Sequence, residues 1–290
     1  MDGMNHFRFL PGLRRVPLRP DFVQLGSDPD RSYLLQLPDS RLSQLLERLD
    51  GWIDETTYQL AAHALGVAGS EASGLLNLLR GKGLVVDSGA VTAEGSPEAH
   101  ALALRRDRTP ATVLAARRRQ RVFVNGTGAL ARRTAVTLRA AGLGRVWCAD
   151  EGRRGKATLT VLVNCAYPPT LAARGHARRR LPYLTVAILD GAVHIGPMVS
   201  PGTTPCLRCV DLHYRDCLPA WHTGGEPEIL EASVATLAAG CVASAALQRL
   251  DGERCAVEAS TIEIRPSLVI RRREWNVHPD CGCASTDTRP

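Results

Sequence analysis

The chain has 290 residues, 44% of them hydrophobic, and a formal net charge of +7 with a pI of about 9.1. That length suits about two domains, and the apolar content is enough for ordinary packed cores. Nine cysteines, an odd number in a chain this large, argue against a secreted disulfide framework, and Met1 to Leu10 has no apolar core of a signal peptide, so a reducing, cytoplasmic setting is expected.

The basic balance admits nucleic acid, membrane headgroups or an acidic peptide as partner and says nothing of fold. Much of it is arginine, at Arg105, Arg106, Arg108, Arg117 to Arg119, Arg132, Arg133 and Arg178 to Arg180. These read first as a solvated surface and second as a face for an acidic partner.

In chain order, Leu13 to Val16, Phe22 to Leu25 and Tyr33 to Leu37 are short runs separated by turn chemistry at Arg19-Pro20-Asp21 and Gly26 to Asp30, which predicts three strands of a small antiparallel sheet. Helical spacing follows. Leu42, Leu45, Leu46 and Leu49 share a face behind a cap at Asp39 or Ser40, with Gly51 ending the helix. Asp54 opens a second helix through Ala64, closed by Gly66. Ser70 opens a third, with Leu75, Leu76, Leu78 and Leu79 running to Gly81, and Leu84 to Val86 is a closing strand. Residues 1–90 thus describe a winged-helix-like module. Residues 91–120 read as a surface linker or helix, and the domain boundary is placed there.

Residues 121–290 read as an α/β domain. Val122 to Val124 is a buried-strand run leading into Asn125-Gly126-Thr127-Gly128-Ala129-Leu130-Ala131. A helix then runs to about Ala141, broken by Gly142 and Gly144, and Val146 to Ala149 is a strand ending at Asp150. Strand, glycine turn, helix, strand and terminal acid make a Rossmann-type beginning, with Ala131 in place of a third glycine. Thr158 to Val163 and Tyr183 to Leu189 add strands, and a largely parallel sheet is expected. Ala232 to Leu247 is alanine-dominated and interrupted by Ser233, Thr236 and Ser244. It falls short of a membrane span and reads as a buried helix, so no membrane is expected.

The motif with most chemical content is two cysteine pairs, Cys206-Leu207-Arg208-Cys209 and Cys281-Gly282-Cys283. Four thiolates on two turns suit one structural zinc ion in a closed tetrahedral site, which would staple the end of the chain to its middle. A redox pair at Cys206 and Cys209, or unrelated free thiols, are the alternatives, and His278 is the one competing ligand. Cys165, Cys217, Cys241 and Cys255 have no obvious base nearby. Cys241 reads as packing, and Cys217 is the one thiol to test as a nucleophile.

The order of these features, with Thr204-Pro205-Cys206-Leu207-Arg208-Cys209-Val210-Asp211-Leu212-His213 and His278-Pro279-Asp280-Cys281-Gly282-Cys283, resembles the ThiF-like fold of ubiquitin-activating and sulfur-carrier adenylating enzymes. It is most similar to the ThiF-like proteins of azole-forming peptide clusters. The resemblance implies a YcaO-type cyclodehydratase or other modifying enzyme as partner, a precursor leader peptide held by the N-terminal module, and often a homodimer. It also implies a peptide groove between third strand and third helix, here Tyr33, Leu34 and Leu35 against Leu75, Leu76 and Leu79, with Arg31, Arg80 and Lys82 attracting acidic residues.

Two departures bear on activity. Asp150 is followed only by Glu151 to Lys156 before the next strand, leaving no room for the segment whose Arg and Lys handle ATP phosphates. Where the magnesium aspartate of the resembling enzymes belongs stands Val163-Asn164-Cys165-Ala166-Tyr167; Arg153, Arg154 and Lys156 supply charge but no metal ligand. Phosphoryl chemistry needs both a metal and positive groups. Gly126, Gly128 and Asp150 are therefore expected to be vestigial nucleotide residues, ATP is not an expected cofactor, and the domain is expected to be a pseudoenzyme. Two rivals stay open. A competent adenylating enzyme acting on a peptide would catalyse pyrophosphate exchange. A winged-helix DNA-binding regulator would want a basic third helix, but Leu75 to Leu79 is largely apolar, so no nucleic acid is expected.

Overall fold

The computed structural model describes residues 6–30, 32–88, 97–105, 108–152, 155–165, 169–218, 220–221 and 228–283. It divides into two compact units, Met1–Ala115 and Ala116–Pro290.

In the first unit, β2 (Arg15–Arg19), β3 (Phe22–Leu25) and β4 (Tyr33–Gln36) form an antiparallel sheet in that order, with β4 at one edge. Three helices follow. In α1 (Ser40–Glu47) the Asp39 carboxylate accepts from the Arg41 N–H at 2.8 Å. In α2 (Glu55–Ala64) Asp54 accepts from the Thr57 N–H at 2.9 Å. Both are side-chain caps on N–H groups that a helix cannot satisfy internally. The third helix, α3 (Gly69–Gly81), begins one residue before Ser70. Leu42, Leu45, Leu46, Tyr58, Leu75, Leu76 and Leu79 bury the shared faces of these helices in one core. Sequence reasoning missed β1 (Phe7–Phe9), which pairs antiparallel with β5 (Val85–Asp87). Three residues are too few to show a period, and Phe7 and Phe9 are held by long-range core contacts instead. Residues 91–120 contain two helices, α4 (Pro97–Arg105) and α5 (Pro110–Arg119). Ala99, Leu102, Val113 and Leu114 from these form a small cluster of their own.

The second unit is built on a seven-stranded sheet in the order β12-β11-β10-β9-β8-β6-β7. Its parallel part comprises β6 (Arg121–Asn125), β7 (Arg145–Cys148), β8 (Leu159–Val163) and β9 (Tyr183–Leu189). The expectation of a largely parallel sheet needs correcting. β10 (Ala192–Val199), β11 (Ser260–Ile264) and β12 (Ile270–Glu274) extend it antiparallel, so half of the six pairings are antiparallel. The reversal is made by Asp190-Gly191, both at positive φ, between the paired Leu189 and Ala192. That is the two-residue hairpin turn for which Asp-Gly is favoured.

Of the helices α6 (Ala129–Ala140), α7 (Pro169–Arg179), α8 (Leu207–Cys217) and α9 (Ala232–Leu250), α6 and α9 pack together over the sheet. By length and composition α9 is apolar enough to cross a membrane, but Val234, Ala235, Ala238, Ala239, Val242, Ala243 and Ala246 are buried in the core. Arg117, counted above with the surface arginines, is 2% exposed. Its guanidinium grips Asp251 through Nε (3.0 Å) and Nη2 (2.7 Å), and Nη1 donates to the Ala141 carbonyl at 3.0 Å. A buried charge persists only when paired and hydrogen-bonded in this way.

Candidate functional site

The two cysteine pairs converge. After β10, Thr204 Oγ1 accepts from the Ser200 N–H at 2.9 Å and closes a turn that delivers Cys206 to the N-cap of α8 (Leu207–Cys217). Cys209 lies one turn further on. The second pair sits on a turn closed by the Cys281 N–H donating to the His278 carbonyl at 3.0 Å. Arg208 ties the two together by donating to the Cys281 carbonyl at 3.2 Å.

The sulfurs of Cys206 and Cys281 are 3.4 Å apart, those of Cys209 and Cys283 3.4 Å, and those of Cys206 and Cys209 3.9 Å. All four lie within 4.8 Å of one another, and none is in a disulfide. A tetrahedral ion bonded at ~2.3 Å separates its sulfurs by about 3.8 Å, so the donor set fits a metal ion. Protonation points the same way. The hydrogen bond from Cys206 pulls the Cys209 thiol down, while that bond and burial push Cys206 up and burial pushes Cys281 up. Packed this tightly the sulfurs share protons to avoid stacking negative charge. A cation removes that conflict and lets all four ionise.

His278, the competing ligand, is committed elsewhere. Its Nδ1 accepts from the Asp280 N–H at 3.1 Å, so its Nε2–H donates to Asp216 at 3.0 Å. Both ring nitrogens are used, which makes His213, Asp216 and His278, though close together, a brace for the second cysteine turn.

The glycine turn lies at the carboxyl end of β6. A Cβ on Gly126 would stand 2.5 Å from the Val163 carbonyl oxygen, so the turn packs directly on β8. Gly128 has φ +97, and a Cβ there would stand 1.9 Å from Oε2 of Glu228. The Glu228 Oε1 atom accepts from the Leu130 N–H at 2.9 Å. Sequence reasoning did not find Glu228, because nothing local connects it to a turn 98 residues before its partner. Asp150 is exposed just after β7. At the end of β8, Cys165 donates to the Asn125 carbonyl at 2.8 Å, and burial pushes its thiol up to about 11. Arg153, Arg154, Ala166 and Tyr167 lie outside the described residues.

On the first unit, Tyr33 and Leu34 are exposed on the edge strand β4, Leu34 by 63%. The Lys82 ammonium stands 5.6 Å from the Tyr33 ring, bringing the end of α3 beside β4. Leu35 is half-buried against the core. Leu75, Leu76 and Leu79, expected to line a groove, are instead buried in the core, while Leu78 is the exposed leucine of α3. Arg80 faces Glu55 at 3.7 Å and Asp87 at 3.5 Å and lies over the Phe7 ring. Arg31 lies outside the described residues.

No family model matches the sequence, and no curated protein matches it. Solved structures do match in fold. The heterocyclase TruD superposes with a TM-score of 0.71 at 15% identity over 97% of this chain. A heterocyclase in complex with substrate and cofactor gives 0.72 at 16% over 97%. The chain spans 43% and 39% of those two proteins. E. coli MccB, crystallised with AMPCPP and MccA, gives 0.65 at 12% identity, with 96% of this chain and 99% of MccB covered. At such identities the shared property is the fold, a mixed α/β body preceded by a smaller unit.

Proposed function

We propose that this chain is a noncatalytic scaffold of ribosomal peptide natural product biosynthesis, which holds a precursor's leader peptide and presents the rest to a YcaO-type cyclodehydratase or another modifying enzyme. The observation that carries the reading is the β4 edge. Its backbone pairs only with β3 among the described strands, and it displays Tyr33 and Leu34 to solvent next to Lys82. An extended peptide can add a strand to such an edge, with main-chain bonds giving affinity and alternate side chains giving specificity. The winged-helix-like reading of residues 1–90 makes this unit the recognition module; Leu78 replaces the buried leucines as the side chain α3 offers.

The second unit is the docking body. Its four cysteines hold one zinc ion, which fixes α8 and the second cysteine turn and performs no chemistry, since four thiolates leave no open position. Support for the noncatalytic reading comes from the end of β8. Asn164 and a protonated Cys165 stand there, and neither is the anionic oxygen ligand that magnesium takes.

The rival, an adenylating enzyme acting on a peptide, draws on the MccB fold, which has been crystallised with ATP. Two measurements separate them. Calorimetric titration of the full chain with the precursor's leader is expected to show micromolar binding, and no heat at high micromolar peptide would sink the scaffold. Peptide-dependent pyrophosphate exchange is expected to be absent, and robust exchange would establish the rival.

A further inference from the structure

The seven-stranded sheet ends on β12, and among the described strands only β11 pairs with it, so its outer edge is open. All five of its residues are exposed. Arg271, Arg272 and Arg273 stand there in a row, followed by Glu274 as the one acid of the strand. Charge on an edge strand commonly guards it against pairing. A guard stays polar along its length, and this edge does not. At its start Leu268, Val269 and Ile270 are 73%, 45% and 57% exposed, three consecutive apolar side chains in water. Leu268 sits at φ +58, a left-handed conformation rare for leucine, and its N–H donates to the Arg265 carbonyl at 3.0 Å. A strained residue thus holds a leucine out in water.

We propose that the outer edge of β12 docks the modifying enzyme through an extended segment of that enzyme. The segment carries acidic side chains opposite Arg271 to Arg273 and apolar ones opposite Leu268 to Ile270. An added strand satisfies the open backbone groups, and directly opposed side chains stand ~5 Å apart, close enough for acids to pair with the arginines. A second copy of this chain fits badly. Pairing antiparallel about the middle of β12 would set Arg272 against Arg272 and Arg271 against Arg273, and like charges directly opposite destabilise. The partner's identity rests on the scaffold reading; the sign and shape of the edge do not.

Binding of the full chain to an immobilised YcaO-type cyclodehydratase is measured for wild type, R271E/R272E and L268D, beside calorimetric titration of each with the leader. Wild type is expected to bind, and to weaken as ionic strength rises from about 0.01 to 0.15 M. Both variants are expected to bind about tenfold or more weakly, with leader affinity unchanged. In the wild-type complex the β12 amides are expected to gain protection from hydrogen exchange. Full affinity in either variant, unprotected β12 amides, or a wild type that ignores the enzyme overturns the proposal. So does a wild-type dimer that L268D dissociates, which gives the edge to a second copy. Should R271E/R272E not fold, R271Q/R272Q is read in its place. Binding weakened about threefold then supports the proposal, and equality overturns it. The leader titration keeps the two claims apart. Leader binding without enzyme docking sinks the β12 edge alone, and docking at β12 without leader binding sinks the scaffold alone.

Discussion

Single side chains carry unequal weight here, and three measurements expose the inequality. Cys209→Ser removes a ligand from the centre of the sulfur cluster, so metal content should fall to background and stability by more than about 4 kcal/mol, the class of change that losing a structural metal produces. A metal-free but equally stable wild-type protein would refute the zinc staple. Arg117→Leu should cost about 3–5 kcal/mol in urea unfolding, because Asp251 stays buried without its partner, whereas the double change with Asp251→Leu should recover most of the loss. A double variant as weak as the single one would mean that the ion pair is not the source. Alkylation at pH 8 should modify exposed Cys217 first. Cys165, its thiol pushed up to about 11, has only about a thousandth of its population as thiolate there. Mass spectrometry that finds Cys165 labelled early would contradict its burial. Spacing alone made the cysteine tetrad legible, because two close pairs of one soft ligand have few other uses. Arg117 was illegible, since in a run of arginines nothing local tells the buried one from the solvated ones.

Among elements, those governed by local rules could be read in advance. Asp39 and Asp54 mark where α1 and α2 begin, because a cap is a contact between near neighbours in sequence. Gly126 to Ala131 marks the turn from β6 to α6 for the same reason. Missing were β1 and the antiparallel strands from β10 to β12, whose pairing partners are set by long-range register; β12, Ile-Arg-Arg-Arg-Glu, is exposed throughout and has no apolar alternation to detect. Asp190-Gly191 was nonetheless a usable hairpin signal. The groove leucines failed for a different reason: a helix with apolar spacing packs its own core first, and the side chains left for a ligand are those off that stripe. The β4 edge therefore makes the sharper target. Leu34→Lys, at a solvent-exposed site, should shift stability by no more than about 0.5 kcal/mol while weakening leader binding at least tenfold. Unchanged affinity would move the peptide elsewhere.

Taken as a whole molecule, a scaffold and a catalyst differ in how rate depends on their own amount. A scaffold acts by putting two partners on one body, so that the second encounter becomes intramolecular. If peptide and modifying enzyme bind separate units of this chain, each complex needs one scaffold with both. At low scaffold concentration the rate of modification rises as such complexes form. Once scaffold exceeds both partners, peptide sits on one copy and enzyme on another, and the rate must fall. The expected curve is a maximum near the partners' concentration, flattened by Leu34→Lys because peptide no longer loads. An adenylating enzyme supplying an activated intermediate would give a rate that climbs to a plateau. Varying this chain over about a hundredfold range at fixed precursor and cyclodehydratase distinguishes the two, and a monotonic rise would remove the scaffold mechanism whatever the affinity of the leader.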